Sequence, residues 1–266
     1  MNKFFTIFSL AAVAAGVMIS CQEDDATSNN GGNNNPSLIE TCLGVPLQDG
    51  LVAYFPFTGG TFNEALNNLS VQYGEFDLPT TDRSGNASCA VAMGPNESFL
   101  SVQDPTFLDG LTEMSVSLWY QPQGEWNQDV NDGFQTLISR DQGIHCPDTD
   151  GQWSIALYDG RQAVFGHGNS VWEMNPNAMT NNDWTHIVAT WNEVDNSMKV
   201  YINGVLVNSD TGFADCGQGP VQVNDEGNLF IGRGFIGNID DIAIYNRELS
   251  ASEAQQLFEL DGCCAE

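Results

Sequence analysis

The stretch that decides the fold is "WTHIVATWNEVDNSMKVYING" (184–204). Residues 184–191 and 198–204 are short runs in which apolar and polar side chains alternate, the period of a β-strand. "NEVDNS" (192–197) between them is a turn, and Asn203-Gly204 turns the chain again. The same pattern recurs at 51–57, 114–122, 134–140, 152–158 and 161–167. In 114–122, Val116, Leu118 and Tyr120 share one face, while Ser115, Ser117 and Trp119 share the other. "YDGR" (158–161) joins two runs through Asp159-Gly160, a strong hairpin pair. Short strands punctuated by turns predict an all-β, two-sheet antiparallel sandwich. One helix ends it: Ser250 and Glu253 make a capping box, and Ala254, Leu257 and Phe258 form one stripe, predicting a short helix over 251–260.

Outward from this core, the N-terminus reads as an export signal. Residues 1–20 carry Lys3, an apolar run from Phe4 to Ile19, and Ser20 before Cys21. "VMISC" resembles the lipobox of bacterial lipoproteins, which implies lipid attachment at Cys21 and membrane anchoring. The acidic run Glu23, Asp24, Asp25 resembles the surface-export signal of Bacteroidota lipoproteins and implies an outer-membrane, cell-surface location. Residues 21–37, rich in Asn and Gly, form the lipidated tether, and the folded domain is expected over 38–266.

The formal charge is −28, from 35 acids against 7 bases. Nucleic acid needs a basic face and is excluded as a partner, and the membrane is reached only through the anchor. With Cys21 committed to lipid, Cys42, Cys89, Cys146, Cys216, Cys263 and Cys264 form an even set suited to disulfides in an oxidising compartment. Cys42 and the Cys263/Cys264 pair lie at opposite ends of the folded region, which commonly meet, so one bridge is expected to join them.

Three further stretches carry a family resemblance: "GLVAYFPFTGG" (50–60), "LPTTDRSGNASCAVAMGPNESFLSVQD" (78–104) and "GNIDDIAIYNRELSASEAQQLF" (237–258). With 181–207, and in this order, they resemble the laminin-G-like jelly rolls of the concanavalin A-like lectin/glucanase superfamily. The resemblance implies a jelly roll with one concave sheet and loops at its rim. The chain departs from the pattern after Gly60, where "NEALNNLSVQYG" stands.

Calcium is the expected cofactor. Period-two alternation from Ile242 and Ile244 turns Asp240 inward, where a carboxylate needs a compensating partner, and oxygen ligands suit a hard cation. Asp241 and Asp82 are the further candidate ligands, Asp82 alternatively closing an Asx-type loop. For ligand binding, Trp126, Trp153 and Trp172 offer rings on which sugars stack, and His167 and Asn169 are suited to hydroxyls. The rival reading places these tryptophans over the core, and His186 reads as a packed strand residue. No enzyme is expected. The paired-carboxylate pattern of the related glycosidases is approached only by Glu193 and Asp195, Met198 occupies the third position, and the match lies in a turn. The function expected is therefore a surface-anchored glycan-binding module. A protein-binding adhesion or assembly module is the alternative, and a polysaccharide hydrolase the third.

Overall fold

The computed structural model describes residues 37–74, 78–94, 98–124, 134–140, 153–158, 162–167, 170–173, 182–195, 197–211 and 227–263. Fourteen strands and two α-helices lie among them. The first helix, α1 (Leu38–Leu43), precedes β1 (Leu51–Phe55), β2 (Leu78–Thr80), β3 (Ala90–Met93), β4 (Leu100–Val102) and β5 (Glu113–Pro122). Then come β6 (Gln135–Arg140), β7 (Trp153–Tyr158), β8 (Gln162–His167), β9 (Ser170–Glu173) and β10 (Thr185–Asn192). The chain continues through β11 (Ser197–Ile202), β12 (Val205–Thr211), β13 (Leu229–Ile231) and β14 (Gly237–Tyr245) to α2 (Ala251–Glu259).

The strands form two antiparallel sheets. The larger runs β12-β11-β10-β5-β14-β3-β2, and β1 pairs with the second half of β14. The smaller runs β4-β13-β6-β7-β8-β9. Their inner faces close on one core that includes Val116, Leu118, Tyr120, Ile155, Phe165 and Trp191. This is the two-sheet sandwich that the alternation predicts, in the jelly-roll-like form that the resemblance implies, with the short C-terminal helix expected from its capping box.

Both helices pack on the outer face of the larger sheet. Cys42 and Leu43 of α1 and Ala254 and Leu257 of α2 join Tyr54, Val188, Tyr201, Ala243 and Tyr245 in a second apolar cluster. Each helix begins with a capping box, Ser37 with Glu40 and Ser250 with Glu253. The helix α1 has no counterpart among the elements expected from the sequence: only six residues follow Ser37, too few for the periodicity of a helix to register. The Cys42–Cys263 disulfide spans 221 residues and ties α1 to the C-terminal tail, as the meeting of the domain ends led one to expect. Cys89 is also disulfide-bonded. Cys21, Cys146, Cys216 and Cys264 lie outside the described residues.

The departure after Gly60 has its own closure. Glu64, 1% exposed, accepts hydrogen bonds from the backbone N–H groups of Tyr54, Leu66 and Asn67 and so folds this loop against β1.

Candidate functional site

The two outer faces of the sandwich differ in what covers them. On the larger sheet, a β-bulge between Asp240 and Ala243 inserts an extra residue, with Asp241 at φ 43°. The bulge resets the alternation of β14. Ile239 and Ile242 both reach the core, and Asp240 pairs with Trp119 on the outer side. The inward orientation expected for Asp240 is therefore corrected: the expectation carried the phase of Ile242 and Ile244 back through a bulge that two-residue periodicity cannot register.

Arg83 meets both carboxylates there. Its Nη1 donates to Asp240 Oδ2 at 2.8 Å and to Asp241 Oδ2 at 2.6 Å, and its Nη2 donates to the carbonyls of Leu260 and Asp261. The guanidinium lies 4.5 Å over the ring of Trp119, which stacks in turn on Phe258 of α2. Tyr54 Oη donates to Asp241 Oδ1, and the Cys263 N–H donates to Asp241 Oδ2. Burial, together with the neighbouring Asp241 charge, pushes the Asp240 carboxyl well above its ordinary range. Burial likewise raises Asp241, against the pull of Arg83.

This arrangement is an ion-pair clamp, and as it stands it does not fit a calcium cage. Calcium takes six to eight oxygens, whereas a guanidinium stands between these two carboxylates. Asp82 is occupied in closing its own loop. Its Oδ1 accepts from the N–H groups of Ser84 and Asn86, and its Oδ2 accepts from Asn86 Nδ2. Among the described residues no group of three or more His, Cys, Asp or Glu is placed to hold a metal ion. The cavity beneath the clamp, bounded by Tyr54, Arg83, Ser117, Trp119 and His186, has a volume of only about 10 Å³. That is room for about one water molecule, too little for a saccharide.

The smaller sheet carries neither helix. Leu229, Ile231, Ile138, Ile155 and Phe165 point into the core. Their alternates therefore form the outer face, and registers align Ser101, Phe230, Ser139, Ser154 and Gly166 in one row across five strands. The three serines of the row are buried. Phe230 is half-buried and meets the half-buried Phe99 edge-to-face, with ring centroids 5.4 Å apart at 83°. Arg233 stands over Phe230 at 5.2 Å. Further along the same face Phe134 and Tyr158 stack at 4.5 Å, beside Ala156 and Val164. The row and the Phe134 pair are thus largely closed to a ligand, and the part of this face within reach is the half-buried Phe99–Phe230 pair with Arg233, which suits a ligand with an apolar ring face.

The ligand residues expected from sequence are differently placed. Trp153 and His167 are a register pair in β7 and β8 and lie buried in the core, 2% and 3% exposed. His167 stacks on Trp191 of the opposite sheet, centroids 3.9 Å apart. A ligand role for these two is corrected: both are inner-face residues of the sandwich. Trp126 and Asn169 lie outside the described residues, and of Trp172 only the backbone, in β9, is described. The structure thus brings Trp153 and His167 together with each other, in the core, and Asp240 and Asp241 together at the clamp. His186 is the packed strand histidine expected, buried with Nε2 2.9 Å from Ser117 Oγ. Glu193 and Asp195 lie exposed in the β10–β11 turn, where Asp195 Oδ1 accepts from the Ser197 N–H.

Burial lowers the pKa of both His167 and His186 to about 3. A histidine unfolded at about 6.5 and folded at about 3 takes up its proton more readily in the unfolded chain. Stability is therefore full above about pH 6.5 and falls as the pH drops below it, by on the order of 3 kcal/mol per imidazole by pH 4. The raised carboxyls of Asp240 and Asp241 act with the opposite sign. Comparing His167→Gln with the parent isolates the imidazole. Its melting temperature should fall less steeply between pH 6.5 and 4, and parallel profiles would contradict the assignment.

Fold and face together define a β-sandwich of the lectin-like class. The chain belongs to the concanavalin A-like lectin/glucanases superfamily, whose laminin-G-type model matches residues 95–255. No curated protein matches it. Among solved structures it is similar to the binding domain of Paraclostridial mosquitocidal protein 1, at 21% identity and a TM-score of 0.61, over 80% of this chain and 52% of that one. It is also similar to domain 4 of AbnA, an extracellular arabinanase from Geobacillus stearothermophilus solved in complex with arabinotriose. There the identity is 20% and the TM-score 0.57, over 79% of this chain and 98% of that domain. A third similarity is to a botulinum neurotoxin type C structure, whose cell entry is dependent on interaction with two ganglioside molecules. That match has 16% identity and a TM-score of 0.58, over 80% of this chain and 51% of that one. The chain spans about half the length of the toxin binding domains, and at these identities the likeness establishes the fold.

Proposed function

We propose that this chain is a non-catalytic, surface-anchored lipoprotein that binds glycan on the outer face of its six-stranded sheet. The observation that carries the reading is the half-buried Phe99–Phe230 pair with Arg233 above it, on the sheet that neither helix packs against. The arabinotriose complex of one similar domain and the gangliosides named for another support a saccharide as the ligand class. Cys21 would carry the lipid and the Asn- and Gly-rich tether would lift the domain from the outer membrane. A diacylglyceryl mass on the N-terminal peptide of exported protein is the direct check.

A glycan array on the purified full chain tests the binding reading. Saccharide binding should be found, and Phe99→Ala/Phe230→Ala should weaken it at least tenfold without lowering the melting temperature by more than a few degrees. No release of oligosaccharide from a polysaccharide panel is expected, and steady hydrolysis would restore the enzyme reading. A protein partner is the second reading, favoured by β12, the edge strand of the larger sheet, where Val205 and Leu206 are 65% and 47% exposed. Partner binding that survives loss of both phenylalanines but falls with Leu206→Lys would select it.

A further inference from the structure

The chain has seven bases, and five of them lie among the described residues. Four of those five are held by carboxylates. Arg83 joins Asp240 and Asp241, Arg140 joins Asp109, Lys199 joins Glu248, and Arg247 joins Glu253. Arg233 makes no ion pair with a described carboxylate, and it stands on the candidate ligand face. Among the five described bases, Arg233 is the one without a described carboxylate beside it.

Its position is also built. Arg233 occupies the tight β13–β14 connection between Gly232 and Gly234, at φ 78° and 71°. The Gly232 N–H donates to the Leu137 carbonyl, the Thr136 N–H donates to the Arg233 carbonyl, and the Phe235 N–H donates to the Gly232 carbonyl. A side chain at 232 would meet Met93 Sδ at 2.4 Å, so the turn is specified down to its glycine. The backbone is thus pinned to β6, and the guanidinium lies over Phe230. A guanidinium resting on a ring keeps its N–H edge free for a planar acceptor.

We propose that Arg233 is the specificity-determining contact of this face, and that the ligand is a saccharide carrying a carboxylate. Arg233 takes that carboxylate through its N–H fork, while the sugar ring lies on the adjacent phenylalanines. This rests on the glycan reading above. It also gives the acidic surface a role: the other carboxylates repel polyanions in general, and one fixed guanidinium admits a single, correctly placed acid group.

The test uses the full chain on an array of sialylated and uronate-terminated oligosaccharides printed beside their carboxyl-reduced counterparts. The acid forms should bind at least tenfold more tightly than the reduced forms. Arg233→Gln should erase that difference while leaving the melting temperature unchanged. Equal binding of acid and reduced forms by the parent, or a preference that survives Arg233→Gln, overturns the proposal and leaves the glycan reading intact. Binding of neither form overturns both.

Discussion

Arg83→Leu should lower the melting temperature by roughly 10 °C. Removing one member of a buried ion-pair group leaves uncompensated charge, at a cost of about 3–5 kcal/mol, and for a domain of this size each kilocalorie is worth roughly 2–4 °C. Here the side chains of Arg83 and Asp240 are 7% and 0% exposed, and two carboxylates depend on the one guanidinium. The substitution also removes the donors to the Leu260 and Asp261 carbonyls, so tail and sheet loosen together. Asp240→Asn/Asp241→Asn added to Arg83→Leu should recover part of the loss, because no charge then remains to be compensated. The same melts, run with calcium and with chelator, decide the cofactor expectation. With Arg83 as the partner the parent should be indifferent to calcium, whereas a melting temperature that rises with calcium would make the carboxylates metal ligands after all.

Cys42→Ala/Cys263→Ala should be the other large effect. Closing a loop of 221 residues removes about 5 kcal/mol of unfolded-chain entropy on the simple chain model, the upper end of what disulfides deliver. The loss should fall mainly on the ends of the domain, because the bridge joins α1 to the tail while the sheets keep their own core. Hydrogen exchange should show early opening of 38–43 and 251–263 with β5, β10 and β14 still protected. Uniform opening of all these segments would show that the bridge stabilises the sandwich as a whole.

The sandwich was legible because its strands obey one period. In β5 the sequence separates Val116, Leu118 and Tyr120 from Ser115, Ser117 and Trp119, and the structure puts the first set in the core and Ser117 and Trp119 against His186 on the outer face. The helix at the end was legible through its capping box. The same rule, applied to "QWSIALY" and "RQAVFGH", places Trp153 with Ile155 and Leu157, and His167 with Phe165, all on the inner face. The signal that Trp153 and His167 are core residues was therefore present, and for Trp153 the rival reading, a tryptophan over the core, is the one that holds.

Other features had no local signal. The bulge at Asp241 reverses the facing of Asp240 without changing the composition of β14. The pairing of Arg83 with Asp240 bridges 157 positions, and a single sequence holds no trace of which base meets which acid. Phe230 could be seen as apolar but not as outward-facing. Its three-residue strand is too short for a period, and its neighbour Phe99 is brought to it only by the β4–β13 register.

The most direct measurement is a crystal structure of the full chain with the tightest ligand from the array. That ligand should lie against Phe99 and Phe230, with its carboxylate within hydrogen-bonding distance of Arg233 and the Arg83 clamp unchanged on the opposite face. Density for the ligand at the clamp, along the β12 edge, or anywhere that leaves Phe99 and Phe230 untouched would contradict this placement.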